Sequence, residues 1–254
     1  MSTLPIWLQA GLWGLLAGSA LVIGALIGFF TNIRHKAIAA IMAFGSGVLI
    51  SALSFDLVEE AHKRGGFVAA AVGFLAGAMI FTAANWYLSY RGAAARKLSG
   101  QQQPSEEEEH GSGMAIALGA LIDGIPEAIV IGVSMIASKT VSLVAVAAIF
   151  MSNIPEGLSS AAGMKKAGRS AFYVFGVWGG IAILNGVAAG LGNLLFIGFS
   201  EQVVAATMAL AAGAILAMLV DTMIPEAFQV AQNYAGMIAV VGFLAAYYLS
   251  KISG

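Results

Sequence analysis

The chain has 254 residues, 59% of them hydrophobic and only 10% charged, with a mean hydropathy of +0.89 and a formal net charge of −1. A soluble domain carries roughly 25% charged residues, so this composition excludes a water-covered globule and points to a polytopic, all-α membrane protein. The near-zero charge, with no basic patch or aromatic-basic interleaving, excludes a nucleic-acid partner, and the absence of cysteine excludes disulfides and thiolate metal sites.

A membrane span needs about 20 largely apolar residues. Eight windows fit, at 6–30, 37–60, 66–90, 113–137, 141–163, 170–197, 202–226 and 233–251. The first run, "MSTLPIWLQAGLWGLL", lacks a basic n-region and is too long for a signal-peptide core, so it is expected to be a retained first span. After span 3 comes "RGAAARKLSGQQQPSEEEEHGSG", residues 91–113, poor in apolar residues and expected to form a flexible loop. Its run Glu106–Glu109, followed by His110, reads as solvated charge. The loop separates three spans from five within one transmembrane domain covering 1–254. The loops after spans 1, 3 and 5 carry Arg34, Lys36, Arg91, Arg96, Lys97, Lys165, Lys166 and Arg169; the opposite side has Lys63, Arg64, Lys139 and Lys251. The positive-inside bias therefore places the odd-numbered loops in the cytoplasm and both termini outside.

Of thirteen acidic residues, eight lie within or at the ends of apolar spans: Asp56, Glu59, Glu60, Asp123, Glu127, Glu156, Asp221 and Glu226. A carboxylate at the bilayer centre costs at least about 2.5–3.5 kcal/mol on insertion scales. So many imply a polar interior with a task. Asp123 and Glu127 are four residues apart, as are Ser152 and Glu156, and Asp56 and Glu60. That interval places both side chains on one helical face. The short turn "SKTV" makes spans 4 and 5 antiparallel neighbours, able to face three carboxylates and the Asn153 amide toward one another. Pro126 and Pro155 sit inside these spans. Each lacks an N–H and clashes with the carbonyl four residues back, at Ile122 and Met151. The freed oxygens are tolerated where a cavity, water or ion satisfies them. The two stretches "DGIPE" and "SNIPE" thus read as one cation site. The three histidines, His35, His62 and His110, lie in or near loops and are not expected to ligate.

"GVLISALSFDLVEEA" in span 2 and "GAILAMLVDTMIPEA" in span 7 run from glycine to Glu-Ala over the same length, and the two spans cross in opposite directions. Spans 4 and 5 share Ile-Pro-Glu and are also opposed. This pattern predicts an inverted repeat of 3+2+3 spans, the organisation of alternating-access transporters. Glycines at small-xxx-small spacing, such as Gly14/Gly18, Gly24/Gly28, Gly73/Gly77 and Gly186/Gly190, predict close helix packing.

Eight spans, a polar loop after span 3, and paired Pro-Glu motifs resemble the ZIP family of divalent metal transporters. The stretches that carry the resemblance are Asp123-Gly124-Ile125-Pro126-Glu127-Ala128 and Ser152-Asn153-Ile154-Pro155-Glu156-Gly157. They match the family's His-Asn-x-Pro-Glu-Gly pattern on spans 4 and 5, with support from "DLVEEA" and "LVDTMIPEA". The resemblance implies transport of zinc or a related ion (Mn, Fe, Co, Cd) toward the cytoplasm, a homodimer, and residence in a lipid bilayer, the bacterial inner membrane. It implies no enzyme activity and no resident cofactor.

Positions 56, 123 and 152 hold Asp, Asp and Ser where the family commonly has histidine. Gly124 replaces an asparagine, and Asn185 sits where many members have a span 6 glutamate. The expected ligands are Asp123, Glu127, Ser152, Asn153, Glu156 and Asn185, nearly all oxygen donors. Such a set suits Mn²⁺, Mg²⁺ or Ca²⁺, whereas imidazole suits zinc, although zinc also accepts carboxylates. Asp56 and Glu60 are candidates for ion access, and Asp221 and Glu226 for release. The competing readings are a transport-deficient metal sensor, a carrier of another small cation, and an intramembrane aspartyl protease. The last lacks the Gly-x-Gly-Asp context that such enzymes use.

Overall fold

A computed structural model describes residues 4–94, 96, 97, 103, 112–138 and 140–253. The Glu106–Glu109 run, His110 and Lys139 lie outside the described residues. Among the described residues the chain is helical, with no strand. The helices are α1 (Ile6–Phe30), α2 (His35–Ala52), α3 (Glu59–Leu88), α4 (Ser112–Ser138), α5 (Leu143–Lys166), α6 (Ala171–Phe196), α7 (Glu201–Met218), α8 (Ile224–Ala231) and α9 (Ala235–Ser253). π-helical turns at Leu53–Val58 and Leu219–Met223 join α2 to α3 and α7 to α8.

Among the described residues six continuous runs are long and apolar enough to cross a membrane, where the sequence suggested eight. The difference lies in two of them, His35–Arg91 with 57 residues and Glu201–Ile252 with 52. A straight helix of that length would extend about 80 Å, against a hydrocarbon core of about 30 Å. Both runs are interrupted. Gly66 breaks the first at φ 75, ψ 174, and Gln232 the second at φ 46, ψ −122. Glycine has no Cβ to oppose a positive φ. Gln232 has one, and holds an uncommon backbone state for a non-glycine residue.

Local signals fix the ends of the central helices. Ser142 and Ser170 cap α5 and α6, each hydroxyl accepting the N–H three residues on, from Ala145 and Tyr173. At the far end of α5, Gly168 takes φ 79, its N–H bonding Lys165 O while Arg169 N–H bonds Met164 O. This pair of bonds satisfies carbonyls that the last turn would leave open.

Specific contacts give the helix directions. Helix α1 runs parallel to α5, since Ala17 O meets Asn153 Nδ2 and Phe29 O meets Lys165 Nζ. It runs antiparallel to α6, with Gly11 against Gly190 and Gly18 against Ala182. Helices α4 and α6 are parallel, pairing Gly124 with Asn185 and Gly132 with Asn193. Helix α3 lies parallel to α7, from Arg64–Glu201 through Gly73–Ala206 to Asn85–Asp221. Helix α2 lies parallel to α9, from Gly47–Ala239 to Asp56–Ser250. Further packing joins α2 to α5 and α4 to α7. The glycine pairs lie on these seams: Gly14/Gly18 and Gly186/Gly190 between α1 and α6, Gly24/Gly28 between α1 and α5, Gly73/Gly77 between α3 and α7. A Cβ at Gly24, Gly73 or Gly77 would collide with a backbone carbonyl of the partner helix. In a bilayer, where apolar surface gains nothing by leaving lipid, such close approach is what holds helices together.

Candidate cation site

The two proline-glutamate motifs lie mid-helix, Pro126 in α4 and Pro155 in α5. Asp123, Glu127, Ser152, Asn153, Glu156 and Asn185 are all at most 3% exposed. None is an end-of-helix residue reaching for the surface. Helix α4 is seated mainly on α6 and α7, and α5 on α1 and α2; the two make slight contact with each other. The direct facing of spans 4 and 5 expected from their short turn is therefore a looser arrangement. Side chains from outside both helices occupy the gap.

Those side chains are Arg96 and Lys97, in a turn after α3. The Arg96 guanidinium grips Asp123 with two parallel bonds, Nε to Oδ2 and Nη2 to Oδ1, both 2.9 Å. Its Nη1 donates to Ala93 O at 3.2 Å. Lys97 Nζ lies 3.3 Å from Asp123 Oδ2 and 3.1 Å from Glu156 Oε1, bridging α4 to α5. Both cations are buried, at 2% and 3% exposure. The turn itself is fastened by its carbonyls. Gln103 Nε2 donates to Arg96 O and to Ser160 O, and the Ser159 hydroxyl reaches Lys97 O. The same hydroxyl lies 3.1 Å from Glu226 Oε1, which ties α8 into the cluster.

Glu127 differs from its neighbours. Neither of its carboxylate oxygens has a hydrogen-bond partner among the described residues, although Asp123, Glu156 and Lys97 all act on it electrostatically. Asn185 Oδ1 is likewise without a partner. The Asn185 amide rests directly over Gly124: a Cβ there would come within 2.8 Å of Oδ1 and 3.0 Å of Nδ2. Any side chain at 124 would require the Asn185 amide to shift. Asn153 Nδ2 is committed to Ala17 O, and the Ser152 hydroxyl donates to Ile149 O at 2.9 Å.

The remaining acidic candidates separate into distinct places. Asp56 and Glu60 line a cavity of about 260 Å³ with Arg64, Ser134, Thr140 and Ser142. Asp56 accepts from Ser250 Oγ at 3.1 Å, while Glu60 pairs with Arg64, which also reaches Glu201. Asp221 is exposed and meets Asn85 Nδ2 at 3.4 Å. Glu226 is buried at 2% and belongs to the Ser159–Lys97 network rather than to the surface. Both Asp56 and Asp221 lie on π-helical turns, a distortion frequent at functional positions.

Among the described residues no three His, Asp or Glu side chains are spaced to hold a metal ion. The carboxylates are gathered, but Arg96 and Lys97 stand among them. The sequence had assigned these two cations only to topology. One signal was available: three interior acids with no basic residue in any neighbouring span need positive charge from a loop or a ligand. No family profile matches the chain, and no curated protein sequence matches it.

Proposed function

We propose that the chain is a membrane transporter for divalent metal cations, zinc or a related ion such as Mn, Fe, Co or Cd, carried toward the cytoplasm through the carboxylates of α4 and α5. The carrying observation is Glu127, a buried side chain with neither oxygen partnered among the described residues; Asn185 Oδ1, packed over Gly124 one turn away on α4, likewise has no partner among them. A buried polar group without a partner calls for a reason, and an absent ion is one. The donors around it are oxygens, which favours Mn²⁺ and similar ions over a strictly zinc-selective site.

The helix pairing supports an alternating-access frame. Breaks at Gly66 and Gln232 divide the two long runs into two crossings each, giving eight. Exchanging the first three crossings with the last three, and α4 with α5, then turns the α1–α5 pair into α6–α4, α3–α7 into α9–α2, and α2–α5 into α7–α4. It also superposes the π turn after α2 on the one after α7. This pairing pattern supports an inverted 3+2+3 repeat. In this frame the hydrated ion arrives through the cavity lined by Asp56 and Glu60. It exchanges water for Glu127, Glu156, Asn185 and the Asn153 carbonyl oxygen, then leaves past Glu226 and Asp221. Both termini lie outside the bacterial inner membrane, and the working unit is a homodimer in lipid.

Uptake of Zn²⁺, Mn²⁺, Fe²⁺, Co²⁺, Cd²⁺ and Mg²⁺ into proteoliposomes tests the proposal. Saturable uptake of at least one ion is expected, abolished by Glu127→Ala and by Glu156→Ala. Wild-type uptake in both variants would refute it. The bidentate hold of Arg96 on Asp123 favours a second reading, a sensor that binds metal without moving it. Saturable binding with no flux is its outcome.

A further inference from the structure

We infer that Lys97 is a tethered stand-in for the metal ion and sets the charge a cation must carry to occupy the site. The inference rests on reading the carboxylates as a cation site, and it concerns what decides selectivity there.

Arg96 and Lys97 are held in different ways. Arg96 has an aligned fork on Asp123, and its side chain lies in a groove that Gly119 leaves open. A Cβ at 119 would come within 2.5 Å of Arg96 Cδ and 2.9 Å of Nε. That is a built seat. Among the described residues Lys97 Nζ has two ion-pair contacts, at 3.1 and 3.3 Å, and no aligned hydrogen bond. An ammonium is a compact point charge on a flexible stem, whereas the guanidinium fork is fixed in geometry. Arg96 therefore anchors the turn, and Lys97 is the exchangeable member.

The Nζ position lies between Asp123 on α4 and Glu156 on α5, where an ion joining the two helices would sit. An incoming monovalent ion brings no more charge than the ammonium it must displace. It also competes against a group whose effective concentration is fixed by a short tether. A divalent ion doubles the Coulomb attraction at the same distance. Competition with Lys97 thus rejects Na⁺ and K⁺ and admits divalent ions, with no need for a size-selective filter. When Lys97 withdraws, Glu156 is released to the ion beside Glu127, while Asp123 stays with Arg96.

The test is Mn²⁺ binding to the full chain in nanodiscs, with and without excess K⁺, for wild type, Lys97→Gln and Arg91→Gln. Acylation of Lys97 by an amine reagent, read by mass spectrometry, is followed in parallel. Lys97→Gln is expected to bind Mn²⁺ about tenfold more tightly, as removal of a competitor occupying most of the population requires. It should also become sensitive to K⁺. Arg91→Gln, which removes an exposed charge whose side-chain partner among the described residues is Tyr87, should match wild type. In wild type, Mn²⁺ should raise the acylation of Lys97. Mn²⁺ binding that depends on Glu127 and Glu156 but is unchanged in Lys97→Gln, with Lys97 labelling unmoved, overturns the inference and leaves the transporter reading standing. Absence of Mn²⁺ binding in wild type and Lys97→Gln alike overturns both.

Discussion

Glu127 and Glu156 occupy the same place in two stretches that share Ile-Pro-Glu, each directly after a proline in the middle of an apolar helix. Their surroundings are opposite. Glu156 has the Lys97 ammonium 3.1 Å away, whereas neither oxygen of Glu127 has a hydrogen-bond partner among the described residues. A repeated motif therefore need not give two equivalent sites. A single cationic turn, entering from one side, distinguishes them and leaves one carboxylate compensated and the other open.

The largest expected effect comes from removing the anchor. Arg96→Ala leaves Asp123 with only Lys97 and should lower stability by about 3–5 kcal/mol, the range for breaking a buried ion pair. Thermal unfolding in a fixed detergent reads it. Replacing both partners by apolar residues, Arg96→Met with Asp123→Leu, should recover most of that loss. If the double variant is as unstable as the single, the pair is not what Arg96 contributes.

Next come the two glutamates themselves. Without metal, Glu156→Gln strands the buried Lys97 charge and should destabilise by about 2–3 kcal/mol. Glu127→Gln breaks no pair and should leave stability within about 1 kcal/mol of wild type or above it. Equal losses in the two variants would remove the asymmetry.

Gly124→Ala should cost about 1–3 kcal/mol by overpacking against the Asn185 amide. The loss should shrink when combined with Asn185→Ala, a coupling read by a double-mutant cycle. The smallest effect is expected at the periphery. Arg64→Gln, removing the part-exposed pairs to Glu60 and Glu201, should change stability by no more than about 1 kcal/mol. A larger loss there would mean that the Asp56–Glu60 cavity contributes to the fold as well as to access.

Much of this was legible in the sequence because the bilayer leaves few choices. Apolar runs must be helices, since every backbone N–H and C=O has to be satisfied within the segment. The windows at 66–90 and 233–251 begin beside the breaks at Gly66 and Gln232. The first break is announced by "RGGF"; the second carries no glycine and shows only as a polar interruption. Spacing placed Gly14/Gly18 and Gly186/Gly190 on packing faces, but nothing in it says that these two pairs meet each other across α1 and α6. The short "SKTV" turn suggested that α4 and α5 pack together, yet chain neighbours separate when other helices offer closer surfaces.

The sequence by itself determined an all-helical membrane chain with buried carboxylates beside two prolines, because periodicity, length and hydropathy are local properties. Only the tertiary structure decided which charges meet. Arg96 and Lys97 stand 26 or more positions before the acids they contact, in a segment whose composition reads as solvated loop. Their burial follows from a Coulomb attraction at about 3 Å that no local pattern encodes. It takes the folded arrangement of α4, α5 and α6 to place Asp123 and Glu156 within reach of one turn, and to leave Glu127 outside it.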